Sequence, residues 1–229
     1  MNEVYKFYSD NIKCWLDNPR YVIRHSYLNM LGDVSGKRII DIGCGCGQDM
    51  LILSKKYSGI DGVGLDFCEN SLKEASHLLK DYRNWKLVHN DMMNYESAQK
   101  FDIVIFSMIV MHYPNLSVIF KKISSLMNPG GRLLLVTNNP YLICKEYDVQ
   151  YPEGEGSVSY HHHFFYQGKE LKIIKYVHSI SSYINCAYSY SLNVEQMLEQ
   201  AVYSQETQFF NPIPNLDMPN FISILYMLS

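Results

Sequence analysis

The chain has no run of about 18 consecutive uncharged apolar residues, the length a membrane-spanning helix needs, so no such helix is expected. Its first residues, MNEVYKFYSDNIKCW, lack the basic start and apolar stretch of a secretory signal. Neither sign of charge is in excess: 20 Lys and Arg stand against 23 Asp and Glu, for a net charge of -3. That balance leaves no basic footprint for nucleic acid and no attraction to an anionic membrane, so neither is expected as a partner. Cysteine is irregularly placed. Cys14, Cys44, Cys46, Cys68, Cys144 and Cys186 match no disulfide framework and no paired Cys-x-x-Cys zinc site. Free thiols in a reducing cytoplasm, without a metal, are the expectation. No internal repeat or low-complexity linker interrupts the sequence.

With 229 residues, 47% hydrophobic and 19% charged, the chain suits one globular domain with a large core. Tyrosine is frequent, at 19 residues, many of them after residue 140. An aromatic acceptor pocket is one account of that bias and ordinary packing is another.

The first thirty residues read as two helices, the second opened by Asn18-Pro19 and closed by Gly32. From Lys37 onward, short apolar runs alternate with helical segments. Strands are expected at Arg38–Ile42, Ile60–Asp66, Trp85–His89, Phe101–Ser107 and Arg132–Thr137. Helices are expected at Asp49–Tyr57, Glu69–Tyr82 and Pro114–Met127, with a turn at Asn128–Gly131. Continuous apolar strands separated by helices indicate an α/β fold whose parallel sheet is covered on both faces. Beyond residue 140 the signals weaken. Leu171–His178 and Tyr183–Tyr190 read as strands outside the main sheet. Asn193 reads as the cap of a helix from Val194 to about Tyr203, and Thr207–Phe210 and Phe221–Leu228 as two further strands.

The turn Asp41-Ile42-Gly43-Cys44-Gly45-Cys46-Gly47 follows the first expected strand. Its glycines let backbone approach a ligand closely, and the next helix presents free N–H groups. In open α/β sheets this is where ligands bind. Gln48 stands where a dinucleotide fingerprint would place its third glycine. Asp41 would lie unfavourably near a pyrophosphate, and it suits a ligand with an amino group and a sulfonium. Asp66 ends the second strand, where an acid accepts from both ribose hydroxyls. Asp91 follows the third strand and is placed to accept an adenine amino group, with Met92 or Phe67 against the ring.

These segments together resemble the motifs of class I S-adenosylmethionine-dependent methyltransferases: DIGCGCG the first, GLDFCENSLKEA the second, HNDMMNY the adenine segment, FDIVIFSMIVMHYPN the fourth-strand motif and LMNPGGRLLLV the fifth. The resemblance spans about residues 30–137, and LGDVSGKRIID is similar to bacterial small-molecule members. It implies a seven-stranded, mostly parallel Rossmann-like sheet in the order 3-2-1-4-5-7-6, the last strand antiparallel, with helices on both faces. It implies S-adenosylmethionine as cofactor and S-adenosylhomocysteine as product. Asp41, Gly43, Cys44, Gly45, Gly47, Asp66, Phe67, Asp91, Met92 and Ser107 would make the cofactor contacts. The single domain would comprise an N-terminal helical lid (1–32), a cofactor-binding core (33–139), a substrate-binding insertion (140–192) and a C-terminal helix and strands (193–229).

The implied acceptor is a small molecule methylated on oxygen or nitrogen. Base candidates are His112, Tyr113, His161, His162, His163 and His178, with His112 and His162 taken as catalytic. Tyr21, Tyr113, His161 and His163 are taken as acceptor contacts, and Arg20 and Arg24 as partners for a carboxylate. Because neighbours on a strand face opposite sides, at most two of the three consecutive histidines share a site. A protein or RNA methyltransferase is the first rival, although no Asn-Pro-Pro-Tyr-type signature follows the fourth strand, where Ser107-Met108-Ile109-Val110 stands. A catalytically silent cofactor-binding subunit is another. An NAD-dependent oxidoreductase is the third, with Tyr141 and Lys145 at Tyr-x-x-x-Lys spacing but the wrong glycine pattern. The chain is expected as a monomer or a homodimer.

Overall fold

In the computed structural model, which describes residues 20–154, 156–166, 168–200 and 219–229, apolar alternation along the strands builds a core on each face of one sheet. Along β1 (Arg38–Ile42), β4 (Phe101–Ser107) and β5 (Met127–Asn138), Ile40, Ile42, Val104, Phe106, Leu133 and Leu135 point to one side. Ile39, Ile103, Ile105, Leu134 and Val136 point to the other. This period of two is the pleat, and burial on both faces is what a parallel sheet requires.

Helices cover each face by their own spacing. On one face lies α1 (Arg20–Asn29), which buries Ile23, Tyr27 and Leu28, with α2 (Gln48–Lys56) and α3 (Glu69–Leu78) beside it. On the other, α4 (Leu116–Leu126) buries Leu116, Ile119, Phe120 and Ile123, and Asn115 caps it by accepting from the Ser117 and Val118 amides. With β2 (Asp61–Asp66), β3 (Trp85–His89), β8 (Leu192–Gln200) and β9 (Phe221–Leu228), the sheet runs β3-β2-β1-β4-β5-β9-β8. Strand β9 is antiparallel to both its neighbours. Since β8 and β9 are its sixth and seventh strands, the implied order holds.

Between β5 and β8 the chain forms α5 (Pro140–Glu146), a two-stranded sheet of β6 (Ser157–Tyr166) and β7 (Lys169–His178), and α6 (Ile180–Tyr188). The hairpin stands outside the main sheet, as expected for Leu171–His178.

Three expectations need correction. Tyr183–Tyr190 is read as a strand, but the chain from Ile180 to Tyr188 is helical: the Ser179 hydroxyl accepts from the Ser182 amide, and Tyr183, Cys186 and Ala187 are buried at i, i+3 and i+4. Burying that face against α4 outweighs the β-rich composition, and it places part of the expected insertion in the main core. The helix expected from Val194 is instead strand β8. Its partner β9 would otherwise expose its hydrogen-bonding edge, and long-range pairing overrides the helical preference of Glu, Gln, Met and Leu. The turn expected at Asn128–Gly131 lies within β5, where the register with β4 shifts between Phe101 and Ile103. The expected first N-terminal helix, the Asn18-Pro19 start, the side chains of Arg20 and Tyr21, and the strand at Thr207–Phe210 lie outside the described residues.

Candidate cofactor and acceptor site

The carboxyl ends of β1, β2 and β4 bring the expected residues to one edge. Leaving β1, the chain turns back at once: the Gly43 and Cys44 amides both donate to the Leu65 carbonyl of β2, at 2.7 and 3.1 Å. Gly43 takes a φ of 71°, and a Cβ there would fall 2.4 Å from Ile109 Cδ1, so glycine is needed for both conformation and space. At Gly45 an added Cβ would meet no protein atom within 4 Å. The turn therefore borders open space at that point. Cys44 and Cys46 are buried in it, and burial first, then Asp66, pushes the Cys46 thiol up to about 12.

Asp66 fastens this turn to β2. Its two carboxylate oxygens accept from the Gly45 and Cys68 amides, each at 2.8 Å. Burial raises its proton affinity against the pull of those bonds. Phe67 follows, 46% exposed, its carbonyl accepting from His89 Nε2 at 2.8 Å. Asp91 is exposed after β3 and caps the Met93 amide at 2.8 Å. Met92 is buried in the core, and the methionine exposed on this loop is Met93.

Asp41 is 3% exposed, and among the described residues no hydrogen bond reaches it. Desolvation, then the nearby charge of Asp49, raises its proton affinity well above the ordinary carboxylate range. Asp49, on the first turn of α2, is buried too, and its partners come from α1: the Tyr27 phenol lies 2.8 Å from both its oxygens and Arg24 is ion-paired to it. Arg24 also donates to the Tyr27 oxygen at 3.1 Å, and Ser107 ends β4. Burial opposes the charge on Arg24, and Asp49 outweighs it. The Gln48 amide nitrogen is buried without a partner.

Sequence reasoning names Arg24 and Ser107 but misses Asp49, Tyr27 and Gln48. An acid six residues into a glycine turn followed by a helix, facing a Tyr and an Arg at i and i−3 of an earlier helix, is the signal. An unclaimed buried acid and an unclaimed amide donor near a glycine turn that borders open space, with a guanidinium close to the acid, fit a zwitterionic ligand. The donor set suits the amino-acid end of S-adenosylmethionine.

Past β4 the backbone is strained, with Met108 at φ 60°, before a single 3₁₀ turn at Val110–His112. His112 is half-buried, and burial, then Lys175, lowers its pKa to about 4. The β6–β7 hairpin clamps this turn: His178 Nε2 donates to the Tyr113 carbonyl at 2.9 Å, and the Ser157 hydroxyl donates to the Pro114 carbonyl at 3.0 Å. His178 is fully buried, and its Nδ1 has no partner. A carbonyl only accepts, so Nε2 carries the proton and Nδ1 the lone pair.

Alongside lies a cavity lined by Met111, by Thr137 and Asn138 of β5, by Pro140 and Ile143 of α5, by Tyr160, Tyr176 and Val177 of the hairpin, and by Tyr183 of α6. The consecutive histidines are not among these residues. His162 bonds the Tyr147 phenol through Nδ1. His161 and His163 share the exposed face, their rings 6.4 Å apart, and His163 is paired with Glu170 at 2.7 Å.

A family model described as a methyltransferase domain matches residues 33–201. A demethylmenaquinone methyltransferase of Staphylococcus aureus is 31% identical over 124 residues, which is 53% of this chain and 52% of that protein. The chain spans about half the length of the curated relatives it matches. Among solved structures, a putative S-adenosylmethionine-dependent methyltransferase from Listeria monocytogenes superposes with a TM-score of 0.69 at 15% identity, covering 90% of this chain and 96% of that one. The N-methyltransferase NodS from Bradyrhizobium japonicum, in complex with S-adenosylhomocysteine, gives 0.61 at 12%, covering 92% and 86%. At such identities the likeness is one of fold.

Proposed function

The chain belongs to the methyltransferase-domain family, and we propose that, as a member, it transfers a methyl group from S-adenosylmethionine to a small-molecule acceptor, on oxygen or nitrogen. One observation carries this: Asp41, Asp66 and Asp91 stand at three strand ends around a glycine turn that borders open space. When bound, the cofactor supplies an already activated methyl group to an in-line nucleophile.

The protein's own part is to bind, orient and exclude water. Asp41 takes the amino group of the methionine portion, directly or through water, and Arg24 and Gln48 face its carboxylate. Asp66 keeps lone pairs for the ribose hydroxyls while holding the Gly45 turn in place. Asp91 accepts from the adenine amino group, with Phe67 against the ring. Ser107, at the end of β4, is a further contact for the cofactor.

On the acceptor side, segment 140–192 supplies the pocket wall. His112 is the base candidate on the β4 turn; with a pKa of about 4 it stays neutral and able to take a proton at pH 7. His162, engaged with Tyr147, is the secondary candidate, and His161 and His163 remain acceptor contacts only for a molecule that reaches the outer face of the hairpin. Demethylmenaquinone methyltransferase is the name of a relative, and its small-molecule acceptor supports this class. We place the protein in the cytoplasm, as a monomer or homodimer without nucleic-acid or membrane partners.

Calorimetric titration with S-adenosylmethionine, S-adenosylhomocysteine and NAD tests the reading. Micromolar binding of the adenosyl ligands and none of NAD is expected. NAD binding alone, or no adenosyl binding by a folded sample, overturns it.

A further inference from the structure

Three carboxylates, Asp41, Asp49 and Asp66, lie buried where β1, α2 and β2 meet, and Arg24 is the guanidinium paired among them. Two of the three are claimed. Asp49 is held by Tyr27 and Arg24, and Asp66 by the Gly45 and Cys68 amides. Asp41 receives no hydrogen bond among the described residues. An ionised carboxylate without a donor is costly to bury, and like charges beside it add to the cost. Among the described residues, the charged and titratable groups that face it are Arg24 from α1, Asp49 from α2, Cys44 from the glycine turn and Asp66 from β2. Among the described residues one cation stands among these three acids, which leaves Asp41 to hold its proton.

The glycine turn beside Asp41 borders open space at Gly45, and the buried Gln48 amide at the start of α2, just after it, also lacks a partner. An unclaimed acid and an unclaimed donor on either side of one turn mark the place for a ligand's charged groups. We propose that the protein takes up its cofactor in exchange for a proton: the neutral carboxyl of Asp41 gives its proton to solvent as the ligand's α-ammonium arrives, and an ammonium–carboxylate pair replaces the carboxylic acid. This deepens the cofactor reading above and rests on it.

The exchange has a thermodynamic signature. While Asp41 is protonated in the free protein and ionised in the complex, affinity rises about tenfold per pH unit. It also separates ligands: S-adenosylhomocysteine carries the α-ammonium, and 5′-methylthioadenosine, with the same nucleoside but no amino-acid portion, does not.

Both ligands would be titrated calorimetrically near pH 7 in phosphate and in Tris, whose ionisation enthalpies differ, so that the heats count protons. About one proton released per S-adenosylhomocysteine is expected in the wild type, with none for 5′-methylthioadenosine and none for S-adenosylhomocysteine on Asp41→Asn. Binding of S-adenosylhomocysteine without proton release, or equal release by the variant or by 5′-methylthioadenosine, overturns the exchange and leaves the cofactor reading intact. If the variant does not fold, the wild-type pH profile decides, and a flat S-adenosylhomocysteine affinity overturns the proposal. A folded wild type that binds neither ligand refutes the cofactor reading itself.

Discussion

The phenol oxygen of Tyr27 lies 2.8 Å from both carboxylate oxygens of Asp49, and this contact pins α1 across the first turn of α2. The pair is buried, and Arg24 is the other side chain that bonds both groups. Removing the phenol leaves Asp49 with a charge and one donor fewer. Tyr27→Phe should therefore lower stability by about 1–3 kcal/mol, the scale of a buried hydrogen bond to a charged group. Urea denaturation measures it, and an unchanged midpoint would show that the contact is energetically idle.

Asp66→Ala should weaken S-adenosylhomocysteine binding by about 1–3 kcal/mol, through lost acceptors and a loosened Gly45 turn. Calorimetry on a folded sample reads this directly. Full affinity in the variant would contradict the ribose assignment.

For His112, binding and turnover should part. His112→Ala is expected to keep cofactor affinity and lose about 10²–10⁴ in methyl transfer, the usual worth of a general base. The wild-type rate should fall with acid near pH 4, not near the ordinary histidine value of 6.5, because burial and Lys175 disfavour the imidazolium. Unimpaired turnover by the variant removes His112 from the chemistry.

Asp41 supplies a stability test with a definite sign. Its folded-state pKa is raised above the ordinary aspartate value of 3.8, so its contribution is complete below that value and is lost as pH climbs through the raised one. The cofactor-free Asp41→Asn variant should accordingly gain on the wild type as pH rises, and match it more closely in acid. Denaturation curves across the pH range check this, and a constant difference would mean that Asp41 is not forced to choose between charge and burial.

How far the sequence reveals this molecule depends on the range of the forces at each place. Strands β1 and β4 are legible because both of their faces are buried, which leaves nearly unbroken apolar runs. Asp41, Asp66 and Asp91 are legible because three acids follow three such runs. Segment 192–200 is not, because its strand state comes from β9, more than twenty residues further on. Segment 180–188 misleads because Ile and Tyr favour strands in isolation, while the Ser179 cap and the i, i+3, i+4 burial of Tyr183, Cys186 and Ala187 decide for helix. The Arg24–Tyr27–Asp49 cluster joins α1 to α2 across 22 and 25 residues, and polar residues that bury only by finding each other carry no local pattern. The same holds for His178, whose clamp on the Tyr113 carbonyl bridges 65 residues.

Among the described residues the β6–β7 hairpin pairs only with itself, through ten consecutive partners from Ser157–His178 to Tyr166–Lys169. A ladder of that kind can be trimmed or extended at its tip by one residue on each strand without moving a single bond at its base. The main sheet, with its glycine turn, need not notice. The height of the wall that Tyr160, Tyr176 and Val177 give the cavity is thus an adjustable dimension of this architecture, free to change while the glycine turn stays as it is.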